Sequence, residues 1–221
     1  MIIDTMTLEE VTNHLLKTTF SSKNVNDMYR RHIYPMWAKN RRCIIKWGQN
    51  LARTDYKIFA PVVSKYGFDE ELVCIPYCAN PKYIDTVSFT HFFYRNERYI
   101  AYKLTDDRIM YFTWHSLKRY AERCLDDLEP EIDNEFIGDM LIYNSGLMGT
   151  DYVYKDRKTT MYVSADGAFL GYGNSNYIMA KTFITKNEYF SNQEKLDTSA
   201  FEELRRYKKE TYGYWLMREC S

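Results

Sequence analysis

Three residues in the stretch F-T-W-H-S-L-K-R-Y-A-E-R-C, His115, Arg119 and Arg123, recur at a spacing of four. Four steps along an α-helix overshoot a full turn by about 40°, so such a row forms one slowly drifting stripe. One titratable imidazole beside two guanidinium forks suits a phosphodiester. The imidazole can move a proton, and the forks can neutralise oxygens on phosphorus. Thr113 stands at the position of an N-cap, which places His115 in the first turn. That end of a helix attracts phosphate. Leu117, Tyr120, Ala121, Cys124 and Leu128 fall roughly opposite and are expected to face the core. The same row also fits a solvated face laced by local ion pairs among Lys118, Arg119, Glu122 and Arg123.

The elements that must position this stripe can be read from periodicity and turn residues. Thr7 to Lys17 is expected to be a helix, with Thr7 and Glu10 at capping-box spacing and Leu8, Val11, Leu15 and Leu16 on one face. A second helical stretch is expected after Asn24 or Asn26, interrupted or ended near Pro35. Residues Tyr56 to Cys78 are mixed, with Pro61, Gly67 and Pro76 as breakers. The pattern then turns strand-like at S-F-T-H-F-F-Y (88–94), R-Y-I-A-Y-K-L (98–104) and R-I-M-Y-F-T (108–113). After the stripe-bearing helix, 133–143 reads as a second helix with Phe136, Met140 and Tyr143 on one face. Strands are expected at 151–155, 159–164, 168–173 and 177–185, with Ala165-Asp166-Gly167 as a hairpin turn. Residues 198–217 read as a closing helix. The fold class expected is α+β: a mainly helical N-terminal region (1–84), then two helices packed on a curved antiparallel sheet (85–195), then a C-terminal helix (196–221). Short connections favour antiparallel pairing throughout.

Composition narrows the classes of function. The chain has 221 residues, 45% of them apolar, which suffices for a buried core, and its formal net charge is zero. A generic nucleic-acid coat protein would be basic, so any nucleic-acid contact must come from a local patch. One such patch runs from Met28 to Arg53, with Arg30, Arg31, Lys39, Arg41, Arg42, Lys46 and Arg53 and no acid; the alternative is a solvated face paired with acids elsewhere. The 21 tyrosines can serve as core, interface or base-stacking residues. Five cysteines, with C-I-P-Y-C the only close pair, do not make a zinc pattern, so no metal or other cofactor is expected. No signal peptide and no apolar run of spanning length is evident, and a reducing cytoplasm is the expected compartment. His14, His32 and His91 could join a site only through tertiary contact. Phosphate-loop, dinucleotide and hydrolase-elbow signatures are lacking. The acidic stretch from Asp126 to Glu135 reads as a solvated loop running into a helix start.

The residues T-W-H-S-L-K-R-Y-A-E-R resemble the T-x-H-A-x-x-R-x-x-x-R helix of small toxin-like domains in the DUF4258 and BrnT groups. Those are similar to the broader set of barnase, EndoU, colicin E5 and RelE folds. The likeness covers roughly residues 109–190, with Ser116 in place of the usual alanine, and takes in A-K-T-F-I at 180–184 as the late strand. It implies metal-independent RNA cleavage through the substrate's own 2'-hydroxyl. His115 would be the acid or base, Arg119 and Arg123 the phosphate-facing arginines, and Thr182 a hydroxyl donor to the phosphate. Lys181, alternating to the other strand face, and Tyr152, Tyr172 and Tyr177 would be substrate-binding candidates. RNA and a cognate inhibitor or antitoxin protein are the implied partners, with no membrane. The rival reading is a non-catalytic RNA- or protein-binding module on the same fold.

Overall fold

Local signals build the first helix as expected. The computed structural model describes residues 2, 4–49, 57–58, 60–66, 70–78, 88–95, 98–105, 107–144, 148–154, 157–163, 167–185, 188 and 206. Helix α1 (Leu8–Lys17) opens on a reciprocal capping box: Thr7 N–H donates to Glu10 Oε2 at 2.7 Å, and Glu10 N–H to Thr7 Oγ1 at 3.3 Å. Val11 and Leu15 are its buried apolar residues. Helix α2 (Ser22–Met28) continues through a π-helical turn (Tyr29–Ile33) into α3 (Tyr34–Gln49). Pro35 explains the irregularity: it has no N–H to give to the preceding turn, and the widened turn absorbs the loss without breaking the rod.

The strands are β1 (Lys57–Ile58), β2 (Val62–Lys65), β3 (Glu70–Cys78), β4 (Ser88–Arg95), β5 (Tyr99–Lys103), β6 (Ile109–Thr113), β7 (Met148–Tyr154), β8 (Arg157–Val163), β9 (Gly167–Gly173) and β10 (Tyr177–Thr185). They form a single open sheet in the order β1-β3-β4-β5-β6-β10-β9-β8-β7, with β2 also on β3. Helices α4 (Trp114–Cys124) and α5 (Asn134–Tyr143) separate β6 from β7. The class is α+β.

Two features differ from the expectation. The N-terminal region is not only helical, because β1 to β3 belong to the sheet and β3 pairs with β4 from Glu70↔Arg95 to Tyr77↔Ser88, across the boundary expected at 84/85. Pro76, which can donate no ladder bond, falls in the gap between the segments of β3 paired by β2 and by β1. The sheet is also not wholly antiparallel: β10 runs parallel to β6, Tyr177↔Ile109 to Ala180↔Phe112. The connection between those two strands holds both helices and three strands, ample for a parallel return. The hairpin turn at 165–166 lies outside the described residues, as does the helix expected at 198–217 apart from Arg206, which is helical.

Both faces of the central strands are covered. Met110 and Phe112 of β6 join Ile178, Ala180 and Phe183 of β10 in a core beneath α4 and α5. Ile109 and Tyr111 alternate to the other face, with Val11, Leu15 and Phe20 of the N-terminal helical region. Double coverage makes I-M-Y-F a continuous apolar run rather than an alternating one. On the α1 side, Thr12 Oγ1 donates to the Leu8 carbonyl at 2.7 Å and accepts from the Tyr111 hydroxyl at 2.8 Å, the second of these bonds being buried. Tyr111→Phe therefore removes one buried donor and is expected to cost about 1 kcal/mol in urea unfolding. Equal stability of the variant would mean that this bond contributes nothing to docking α1.

Candidate functional site

Helix α4 forms where its sequence directs. Thr113 Oγ1 accepts from Ser116 N–H at 3.2 Å and donates to the Ala180 carbonyl at 3.1 Å, so one hydroxyl caps the helix and ties it to β10. Ser116, standing where the resemblance has alanine, is buried and donates its hydroxyl to the Thr113 carbonyl at 2.8 Å. Leu117, Tyr120 and Ala121 are buried, as the expected core side requires. Cys124 is only partly buried. Leu128 is not core: it lies past the helix end and is 80% exposed. The chain leaves α4 through Asp126, which takes a left-handed conformation (φ 52°) that an Asp side chain tolerates. In α5, burial centres on Ile137, Met140, Leu141 and Ile142, with Phe136 partly buried.

The row itself is occupied unevenly. His115 is exposed in the first turn. Arg119 Nη1 meets Glu122 Oε2 at 2.7 Å on the helix surface. A half-buried pair within a single helix contributes little and does not tie the guanidinium to another element. Arg123 is held more firmly. Its Nη1 donates to the Phe183 carbonyl and its Nη2 meets Glu188 Oε1 at 3.1 Å. Glu188 Oε2 in turn accepts from Thr185 N–H at 3.0 Å. Arg123 is thus a tie between α4 and the end of β10. The capping-box spacing T-x-x-E at 185–188 was the signal that could have revealed Glu188.

Thr182 does not join the row. The β10–β9 register shifts between Ala180 and Thr182, so Lys181 is the extra residue of a β-bulge. Ala180 and Phe183 both lie in the core beneath α4. The two residues between them, Lys181 and Thr182, therefore point to the opposite face. The expectation that Lys181 and Thr182 alternate to opposite faces assumed a regular strand, and the bulge removes that phase.

On this far face Lys181 meets another of the expected residues. Its Nζ lies 5.4 Å from the ring centroid of Tyr172, whose side of β9 faces away from α4. Tyr172 is 47% exposed and Lys181 is also exposed. Tyr177 shares the face but is partly buried and packs edge-on against Tyr111 with centroids 6.3 Å apart, at the margin of the core. Tyr152 lies on β7, paired with Thr159, and its side chain is outside the described residues. The expected site thus divides in two: the α4 row on one side of the sheet, and Lys181, Thr182 and Tyr172 on the other.

The strongly shifted groups of the interior lie away from both. Burial pushes the Cys74 thiol up to about 12, which makes it an inert core residue. Burial, with a smaller contribution from the Lys103 ammonium, pushes His91 down to about 4. His91 Nε2 is buried with no hydrogen-bond partner among the described residues, beside the rings of Phe20 and Phe89 at 5.6 and 5.9 Å. His32 lines a polar cleft between the π-helical turn and β2, with Arg31, Ser64 and Tyr66. Among the described residues no three His, Cys, Asp or Glu side chains gather as a metal site, and no helix is long and apolar enough to cross a membrane.

Comparison with protein-family models, with curated proteins and with solved structures finds no match for this chain.

Proposed function

We propose that the protein is a non-catalytic RNA-binding module whose contact surface is the far face of β9 and β10. The observation that carries this reading is the exposed ring of Tyr172 with the Lys181 ammonium 5.4 Å above its centroid. A flat aromatic offers a stacking platform to an unpaired base, and an ammonium beside it can meet the adjoining phosphate. Thr182, on the same face, adds a hydroxyl. Cleavage by the α4 row is the weaker reading. Arg123 is committed to Phe183 and Glu188, and Thr182 lies across the sheet, so His115 lacks the convergent charges that a phosphoryl transition state needs.

Fluorescence anisotropy with a labelled single-stranded RNA, in the presence of a chelator, tests the proposal. Tyr172→Ala and Lys181→Ala are each expected to weaken binding about tenfold, within the ~1–3 kcal/mol that a base–aromatic stack supplies. His115→Ala is expected to bind normally, and the RNA should be recovered intact. Unchanged affinity in both β9–β10 variants would refute the proposal. RNA cleavage that disappears in His115→Ala would restore the endoribonuclease reading.

A further inference from the structure

We infer that the exposed side of the helical rod from α2 through α3 is a second contact surface, one that takes the phosphate backbone of the nucleic acid. The inference rests on the preceding proposal for the class of polymer and adds a surface remote from it in sequence. Three observations carry it.

The first is sidedness. Met28 and Ile33 are buried, and Tyr29, Met36 and Trp37 are half-buried, whereas Arg30, Arg31, Tyr34, Lys39, Arg41 and Arg42 are all exposed. The inward residues recur at helical spacing, so the basic residues share the outward side. From Arg30 to Arg42 the row extends about 18 Å at 1.5 Å per residue. That length is enough to meet several consecutive phosphates of one strand.

The second is the want of neutralisation. Arg31 has Asp27 at 4.0 Å. Arg41 lies over the Trp37 ring at 5.7 Å. Arg30, Lys39 and Arg42 meet no carboxylate within ion-pair distance among the described residues. A chain with no formal net charge therefore carries three cations, Arg30, Lys39 and Arg42, on the outward side of this helix with no carboxylate at ion-pair distance among the described residues. Such a focus attracts polyanions and is screened by salt.

The third is the chemistry of the face, which separates nucleic acid from an anionic membrane. Arginines outnumber lysines, and guanidinium forks pair with phosphate oxygens. Membrane-surface helices also need an apolar side to insert. Here that side is turned into the protein, and Tyr34, 53% exposed, is the large ring left among the cations. A single aromatic within a basic row suits stacking on a base.

The test uses the full chain, a labelled 20-nucleotide single-stranded RNA and vesicles containing phosphatidylserine. Affinity is measured across a salt series for the parent chain, for the triple variant Arg30→Ala, Lys39→Ala, Arg42→Ala, and for a control triple, Lys17→Ala, Lys65→Ala, Lys118→Ala. The control changes net charge equally at exposed positions off the row. Each phosphate contact on a single strand contributes about 0.7 to the slope of log affinity against log salt, so the helix triple should lower the slope by about 2. The control should leave it near the parent value. Tyr172→Ala should lower affinity with little change of slope, so failure of the β9–β10 site and failure of the helix face are read separately. An unchanged slope in the helix triple, an equal loss in the control, no RNA binding by the parent chain, or loss of vesicle binding with RNA binding intact would each overturn the inference.

Discussion

Phe183→Ala is expected to lower the stability of the fold by about 3–5 kcal/mol, the cost of removing a large buried ring and leaving a cavity. The side chain is fully buried, with its centroid 4.8 Å from Phe169 and 5.1 Å from Tyr120. Its own carbonyl receives Arg123, so the residue joins α4 to β10 by packing and by a polar bond at once. Whole domains are stable by only about 5–15 kcal/mol, so this one truncation removes a large share. Urea unfolding of Phe183→Ala beside Phe183→Leu is the measurement. Leucine keeps most of the volume and should cost distinctly less. A loss below about 1 kcal/mol for the alanine variant would mean that the three rings do not form the centre of the α4-side core.

The second large effect is acid-dependent and comes from His91. In the unfolded chain its imidazole takes a proton near pH 6.5, whereas burial delays that in the fold to about pH 4. Between those values the unfolded chain holds a proton that the folded chain lacks, so stability falls as pH falls. The contribution of His91 is complete above about pH 6.5, declines through the window and is gone below about 4. It amounts to the order of 3 kcal/mol, at about 1.4 kcal/mol per pH unit. The groups around the ring reinforce the direction: Phe20 and Phe89 offer no charge, Cys74 is its neutral cross-strand neighbour, and Lys103 repels a second cation. His91→Phe keeps an aromatic in the same slot and removes the titration. Denaturant midpoints from pH 7.5 to pH 4 should fall more steeply in the parent chain than in the variant. Parallel curves would show that protonation of His91 is not what acid acts on.

Much of the local structure was legible because its causes are local. Thr7 with Glu10, Thr113 before Trp114 and Asp133 before Asn134 each hold a side-chain acceptor within three residues of the N–H that it caps. The strand spans after Tyr143 could be read from aromatic and β-branched runs between turns. What escaped depends on partners far along the chain. The strand β3 was hidden by Pro76 and by a run apolar on both faces, which carries no period of two. The parallel return of β10 could not be seen in loop lengths alone. The candidate site residues suffered most from the bulge at Lys181. A single inserted residue moves every later side chain to the other face, so Thr182 could not be paired with Arg119 or Arg123 from spacing. Lys181 and Tyr172 were each legible as candidates, but their meeting depends on the β9–β10 register.

The parallel seam between β6 and β10 has a consequence for how the chain reaches its final state. Two antiparallel blocks, one from the first half of the chain and one from the second, are joined in the sheet ladder of the described residues through this seam, and it links positions such as Thr113 and Lys181 that are 68 residues apart. Contacts that distant are slow to form, because loop closure must precede the gain from pairing. Until the last strand of the second block emerges from the ribosome, β6 is a bare edge with apolar residues on both sides, the type of surface that recruits the wrong strand. Productive assembly of this protein is thus a race between synthesis of some seventy further residues and self-association of the half already made.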